Sequence, residues 1–278
     1  MPDVSDYELF KSTDQNAPSR RSLGLWIAVA LILGAALVTL VVLVWQRRTT
    51  PAPTTTAHTE APPRPARPLG GDAEPIALPP LNETDAIVRE LVQKASSHPR
   101  LAAWLATDDL IRDFTIGVAN VAQGETATRQ LTVLRPSSSF QVIQRGNDLA
   151  IDPRSYKRYD GIAAAAQSID PAAIARVYAT LKPRIEEAAR ELGDASFDRT
   201  LERAIVQLLN TPIPDDPILV QTKGIGYSFV DPKLEALTNG QKHLLRTGPQ
   251  NARIIKQSLR NIATALGIPE ERLPPANR

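Results

Sequence analysis

The sequence lacks cysteine and has few histidines. With no Cys and 3 His in 278 residues, it has no thiol for catalysis, for a disulfide or for metal ligation. His58, His98 and His243 lie far apart and match no metal-ligand spacing. No glycine-rich loop follows a strand-like segment, so no nucleotide-binding motif is present. We therefore expect neither a metal nor a cofactor.

A large excess of one charge is also missing. Lys and Arg number 32 against 30 Asp and Glu, which gives a formal net charge of +2 at pH 7. Nucleic-acid-binding domains usually carry a clear basic excess, because contacts to phosphates dominate their affinity. The composition therefore argues against a nucleic-acid partner.

One long apolar run lies near the N-terminus. It extends from Leu23 to Trp45 and would form a helix of about 34 Å, slightly longer than the hydrocarbon core of a bilayer. Trp26 and Trp45 lie near its ends, where indole rings favour the headgroup level, and arginines flank both sides. Residues 23–45 are therefore predicted to be an uncleaved transmembrane helix within the lipid bilayer, preceded by a short tail of residues 1–22.

Basic residues are nearly balanced on the two sides of this run, so the charge rule does not decide its orientation. An anchor this close to the N-terminus usually leaves a short tail inside and exports the domain that follows. We expect a single-pass protein of the bacterial inner membrane whose C-terminal domain is extracytoplasmic, in the periplasm.

Residues 46–80 are rich in Pro, Thr and Ala and have few large apolar side chains. Such a segment cannot bury a core and is predicted to be a disordered or extended linker. As a polyproline helix it would reach about 110 Å. It would let the remaining domain find a partner away from the membrane, or it would be a simple spacer.

Residues 81–278 are long enough for one globular domain, and their apolar periodicity is mostly helical. Capping residues, prolines and glycines set the expected boundaries. The predicted helices are one beginning at Glu83, Leu101–Ala106, Asp108–Gln123, one after Asp170-Pro171 that Pro183 kinks or divides, Phe197–Leu209, two short ones after Asp231 and Thr238, and one from Pro249 to about Leu266.

Short β-favouring stretches interrupt the helical pattern. Leu131–Leu134 is one of them, and Phe140–Gln144 with Leu149–Ile151 forms a predicted hairpin around Gly146-Asn147. A second hairpin is predicted from Ile218–Gln221 and Tyr227–Val230. The predicted fold class is mainly α (α+β), a helix-dominated domain with small β-hairpins.

Four segments carry a family resemblance. They are HPRLAAWLATDDLIRDF (residues 98–114), YKRYD (156–160), LKPRIEEAARELG (181–193) and YSFVDPKLEALTNGQKHLLRTGPQNA (227–252). In this order they resemble the bacterial family named domain of unknown function 3014, and the resemblance covers most of residues 81–266. It implies a single-pass membrane protein with a Pro-rich linker. The family carries no established activity, so the resemblance assigns no functional residue.

Asp108, Asp109 and Asp113 cluster at the start of a predicted helix, where the helix dipole favours negative charge. Two of them could also form an acid/base pair or bind a cation. A glycan-cleaving enzyme would further need one carboxyl group in an apolar pocket to raise its pKa. Asp108 and Asp109 are therefore the candidates for an alternative function, an envelope hydrolase of cell-wall glycan or peptide.

Tyr178 and Lys182 have the Y-x-x-x-K spacing of short-chain dehydrogenases, but the nucleotide loop of those enzymes is missing. We interpret the pair as a core tyrosine and a surface lysine. Ser155 and Lys157 match no motif of a Ser/Lys nucleophile. No catalytic residue is predicted.

The chain between Glu235 and Glu270 contains basic residues and no acidic ones. On the last predicted helix, Arg253, Lys256 and Arg260 share one face, opposite an apolar face. This face is a candidate contact for an anionic partner, and the alternative is a solvated face neutralised by acids elsewhere.

Tyr156 and Tyr159, flanked by Lys157 and Arg158, form a second candidate contact, because aromatic residues often anchor interfaces. The alternative interpretation is packing at a turn.

The sequence contains no catalytic constellation. We therefore expect a non-catalytic, membrane-tethered envelope module that binds or scaffolds a partner. The candidate partners are an envelope protein, an anionic lipid and a wall polymer, and the oligomeric state is left open.

Overall fold

Helices dominate the fold, and a small antiparallel sheet accompanies them. A computed structural model describes residues 68–71, 73–215 and 217–276. Within these residues no helix is long and apolar enough to cross a membrane. The predicted transmembrane helix (23–45) and the tail before it lie outside the described residues, as does most of the linker, up to residue 67.

Three helices open the domain: α1 (Asp85–Gln93), α2 (Pro99–Leu105) and α3 (Leu110–Ala122). A 3-10 turn at Leu81–Glu83 precedes α1, which therefore begins slightly later than the sequence predicts. The Nδ1 of His98 accepts the N–H of Arg100 at 3.2 Å and so caps α2. The three helices occur in the predicted order, and their ends differ from the predicted ones by a few residues.

Four helices form the middle of the chain: α4 (Pro153–Lys157), α5 (Asp160–Gln167), α6 (Pro171–Glu191) and α7 (Phe197–Leu209). The Asp170 carboxylate accepts the N–H of Ala173 at 2.7 Å, as expected of an Asp-Pro helix start. Pro183 does not divide α6. It lies on the exposed side of the helix, and the buried residues Leu181 and Ile185 hold the helix in the core on either side of it.

The sheet contains β1 (Val142–Arg145), β2 (Asp148–Ile151), β3 (Leu219–Lys223) and β4 (Gly226–Phe229), in that order and all antiparallel. Both predicted hairpins are confirmed. The pairs Leu149↔Val220 and Ala150↔Leu219 join them into one sheet, which the sequence did not predict. The β-favouring stretch Leu131–Leu134 is not a strand, because Thr132–Leu134 forms a 3-10 turn.

The C-terminal part contains α8 (Pro232–Glu235), α9 (Asn239–Leu245) and α10 (Pro249–Ala265), followed by a 3-10 turn at Glu270–Arg272. Thr238 and Gln241 form a capping box at the start of α9.

The described residues build two apolar cores. The larger lies between α1, α3, α6, α7 and α10 and includes Phe197, which is completely buried. The smaller lies beneath the sheet and contains Ile151, Tyr156, Val220 and Phe229.

The last part of the predicted linker is bound to the domain. Leu69 belongs to the larger core, and the N–H of Gly70 donates to the carbonyl of Leu266 at 2.9 Å. Further along, the N–H of Glu74 donates to Oγ1 of Thr180 at 3.1 Å, and Arg184 donates to the carbonyl of Leu78 at 3.1 Å. Residues 69, 70, 74 and 78 therefore contact the domain, although they precede the predicted boundary at residue 81.

Candidate functional site

The larger core contains an apolar cavity of about 380 Å³. Side chains from six helices and from the segment after α3 surround it. Protein interiors usually leave few voids larger than a water molecule, whereas pockets that bind small ligands measure about 300 to 1,000 Å³. The volume therefore falls in the range of a ligand site. Its walls include Val88, Leu101, Phe114, Val118, Val177, Leu181, Ile205 and Ile262.

The residues that line the cavity extend along two helices. On α3 the lining residues run from Leu110 to Val121, and on α6 they run from Ile174 to Ile185. Each stretch covers about three helical turns, or about 16 Å. Leu131 is also a lining residue and is 36% exposed, so the cavity meets the surface beside it.

Three residues with polar groups are among those that line the cavity. Trp104 on α2, Asp113 on α3 and Gln130 after α3 are lining residues. Gln130 lies beside Gly117, one turn after Asp113, because a Cβ on Gly117 would approach the Gln130 Cβ to 3.8 Å. Tyr178, on α6, is also a lining residue, but its hydroxyl is already bonded, at 2.6 Å, to Oδ1 of Asp198.

Two of these polar groups are in unusual surroundings. The indole N–H of Trp104 is buried and has no hydrogen-bond partner among residues 68–71, 73–215 and 217–276. Partial burial raises the pKa of Asp113, and the negative charges of Asp109 and Asp85 raise it further. Two lining residues thus differ from the others, because Trp104 has an unused donor and Asp113 has a carboxyl group that ionises less readily than usual.

A hydrogen-bonded junction fixes the turn between α2 and α3. The Asp85 carboxylate accepts the N–H groups of Asp109 and Leu110 at 2.9 and 3.0 Å. Arg89 donates to the carbonyls of Leu105 and Thr107 at 2.6 and 2.7 Å. Side chains of α1 therefore bond backbone groups at the end of α2 and at the start of α3 that lack partners within those helices. This junction holds the two helices that carry Trp104 and Asp113.

The comparisons with known proteins give one match. A family model described as "Protein of unknown function (DUF3014)" matches residues 110–263, more than half of the chain. The chain belongs to the DUF3014 family. No curated protein and no solved structure matches it. The matched range includes α3, α6, α7 and α10, which form much of the cavity wall in this DUF3014 member.

The aspartates that we considered for a hydrolase are not enclosed by apolar groups. The side chains of Asp108 and Asp109 are 94% and 67% exposed and lie near Arg89 and Arg112. Asp109 occupies the N-cap position of α3 but makes no side-chain capping bond there. The carboxyl group with a raised pKa is instead that of Asp113, which sequence reasoning had grouped with the helix dipole.

The three basic residues of the predicted face of α10 differ in their exposure. Lys256 is only 9% exposed, and its Nζ donates to the carbonyl of Thr211 at 2.6 Å. The Arg260 side chain is only 13% exposed and bonds both the Glu270 carboxylate and the carbonyl of Pro274. Arg253 remains exposed, 3.9 Å from Asp215. Residues after α10 fold back over Arg260, and the carbonyl of Thr211 accepts a hydrogen bond from Lys256, so both side chains are largely covered.

Tyr156 and Tyr159 are also inside the domain. They are 8% and 6% exposed, so they are not surface anchors, and the alternative interpretation as packing residues fits their positions. The carbonyl of Tyr156 accepts Nδ2 of Asn251 at 3.0 Å, and the ring of Tyr159 meets His243 edge-on. YKRYD and TGPQNA, both within the segments that carry the family resemblance, therefore contact each other.

Tyr178 and Lys182 both bind Asp198, which the sequence did not indicate. Burial raises the pKa of the Tyr178 hydroxyl, and its bond to Asp198 raises it further. A tyrosine that acts as a general acid/base needs the opposite shift, because it must ionise near neutral pH. The trio is therefore a structural link between α6 and α7. Among the described residues, no group of three or more His, Cys, Asp and Glu residues could hold a metal ion.

Sequence reasoning missed Trp104 and Gln130 as site residues and the cavity as a whole. The signal that was present is a set of apolar stripes on facing helices, among them the stripe of α6. Such stripes indicate which faces turn inward. They contain no information on whether the facing side chains fill the space between them.

Proposed function

We propose that this protein is a membrane-anchored, non-catalytic binding module of the bacterial cell envelope. Residues 23–45 would anchor it in the inner membrane, and residues 46–67 would tether a domain on the periplasmic side. The cavity between α3 and α6 would be its binding element. The observation that carries this proposal is a ligand-sized volume with almost entirely apolar walls.

Of the expected partners, an apolar portion of a lipid agrees best with these walls. A wall polymer is strongly polar and would leave its hydroxyl groups unbonded in such a cavity. A partner protein could use other surfaces. The hydrolase alternative has less support, because Asp108 and Asp109 lie outside the cavity and are exposed.

The first arm of the test concerns the anchor and its orientation. A phosphatase reporter that is active only outside the cytoplasm is fused after Arg278 of the full chain. We expect activity in intact cells and the fusion in the membrane fraction. An inactive reporter of normal abundance would contradict the proposed location.

The second arm concerns the cavity. The full chain in membrane discs is heated with and without toluene, a small apolar molecule of the kind that enters dry cavities. We expect toluene to raise the unfolding temperature of the wild type and of Ile116→Phe, but not that of Val118→Phe. Val118 lines the cavity, whereas Ile116 is on the same helix and is not a lining residue. Equal shifts in all three proteins would contradict a binding role for the cavity.

A further inference from the structure

We propose that the cavity binds a single acyl chain of a membrane ester lipid, with the polar end of that lipid beside Trp104 and Asp113. This inference rests on the proposed function and specifies its ligand class.

The extent of the lining along two helices favours a linear chain. The lining residues run along α3 from Leu110 to Val121 and along α6 from Ile174 to Ile185, and each stretch is about 16 Å long. A compact ring would contact only part of these walls. A flexible hydrocarbon chain can lie along all of them and bury its methylene groups.

The distribution of polar groups orients the ligand. Trp104, Asp113 and Gln130 lie on the α2–α3 side, and the exposed Leu131 follows directly after Gln130. The other walls are aliphatic except for Tyr178, whose hydroxyl is bonded to Asp198. An amphiphile would therefore place its chain between α3, α6 and α7 and its polar end near the opening.

The charges at the cavity favour an ester over a free fatty acid. No Lys, Arg or His is among the lining residues in the described part of the chain, while Asp113 is. A fatty-acid carboxylate would meet another carboxyl group and no cation. An ester carbonyl carries no charge and can accept the N–H of Trp104, which lacks a partner among residues 68–71, 73–215 and 217–276.

The experiment uses photocrosslinking of the full chain in phosphatidylcholine vesicles. One probe is lysophosphatidylethanolamine with a diazirine near the end of its acyl chain. The second probe is the free fatty acid with the same chain. After illumination and trypsin digestion, crosslinks are counted in two peptides, Asp113 to Arg129 from the cavity wall and Ser22 to Arg47 from the predicted membrane span.

We expect the lysolipid to label both peptides in the wild type. In Val118→Phe, labelling of Asp113 to Arg129 should fall about tenfold, because the larger ring occupies the space of the chain. The matched variant Ile116→Phe should label like the wild type. Labelling of Ser22 to Arg47 should be the same in all three proteins, and thermal unfolding confirms that each variant is folded.

A second pair of variants tests the polar end. Trp104→Phe keeps an aromatic ring but removes the N–H, so half-maximal labelling should need about fivefold more lysolipid. The free fatty acid should label the wild-type cavity more weakly than the lysolipid, and Asp113→Asn should reduce that difference.

Labelling confined to Ser22 to Arg47, or equal in Val118→Phe and Ile116→Phe, would overturn the proposal. Stronger labelling by the free acid would overturn the choice of an ester lipid. If toluene still stabilises the wild type but not Val118→Phe, the cavity would remain a binding site for another apolar ligand, and only the acyl-chain assignment would fail.

Discussion

The carboxylate of Asp85 on α1 accepts the backbone N–H of Leu110, the first residue of α3, at 3.0 Å. It also accepts the N–H of Asp109 at 2.9 Å, so one side chain caps a helix to which it does not belong. Asp109 itself has φ 55 and makes no side-chain capping bond. The start of α3, and with it the polar side of the cavity, depends on α1.

Replacement of Asp85 should therefore destabilise the domain. Asp85→Ala removes the acceptor for two N–H groups and should lower the free energy of unfolding by about 1 to 2 kcal/mol. Asp85→Asn keeps an acceptor oxygen and should cost less. Glu90→Ala on the same helix removes only an exposed pair with Lys94 and serves as the control. Urea unfolding measures all three, and equal effects of Asp85→Ala and Glu90→Ala would contradict the capping role.

Gly248 should tolerate no side chain. A Cβ at this position would lie 2.4 Å from Cγ of Tyr156, in a residue with φ +89. Gly267 has φ +87 and open space around its Cβ position, so it is a matched control. Gly267→Ala should lower the free energy of unfolding by about 1 to 2 kcal/mol, because the backbone alone is strained.

Gly248→Ala should lower the free energy of unfolding substantially more than Gly267→Ala does, because Tyr156 would have to leave the smaller core. The difference between the two variants in thermal or urea unfolding measures the contact with the tyrosine. A difference close to zero would show that Tyr156 moves away freely.

The sequence predicted the local parts of the fold better than the distant ones. Both hairpins were predictable, because turn residues such as Gly146 and short β-favouring stretches are neighbours in the chain. The pairing of Leu149 with Val220 joins residues far apart in sequence, and no local pattern specifies it. The same reason explains Leu131–Leu134, which has strand-like residues but pairs with no strand of the four-stranded sheet that the described residues form.

The helix faces were predictable, but what covers them was not. Periodicity correctly placed Lys256 and Arg260 on one face of α10, and the structure then covers that face with Thr211 and the segment containing Pro274. Tyr156 was ambiguous for a similar reason, because it packs in the smaller core against residues far along the chain, Gly248 among them. Composition cannot show such long-range contacts.

Lys256 and Arg253 should respond differently to the same substitution. Lys256→Met keeps most of the buried stem but leaves the Thr211 carbonyl without its donor, which should cost about 1 to 3 kcal/mol. Arg253 is exposed, with a side-chain exposure of 58%, so Arg253→Met should change stability by less than about 0.5 kcal/mol. Similar values in urea unfolding would show that Lys256 is not held inside the domain.

His243 should make stability depend on pH. Its ring packs edge-on against Tyr159, and burial, with smaller contributions from the charges of Arg246 and Arg158, lowers its pKa. The unfolded histidine, with a pKa of about 6.5, binds a proton more readily than the folded one. The histidine contribution to stability is therefore fully present well above this value and is lost as the pH falls from it toward the lower pKa of the folded histidine.

The measurement compares wild type with His243→Gln, which does not titrate. The stability of the wild type relative to the variant should decrease between about pH 7.5 and about pH 5. A constant difference over this range would mean that the folded histidine protonates as easily as the unfolded one.

The central claim is that the cavity between α3 and α6 holds an apolar ligand. Native mass spectrometry of the full chain, released from its own membranes, tests this most directly. Val118→Phe and Ile116→Phe keep the same residues 23–45, so lipids bound there are equal in both. We expect the wild type and Ile116→Phe to carry one more lipid per chain than Val118→Phe. The same bound mass in all three proteins would contradict the claim.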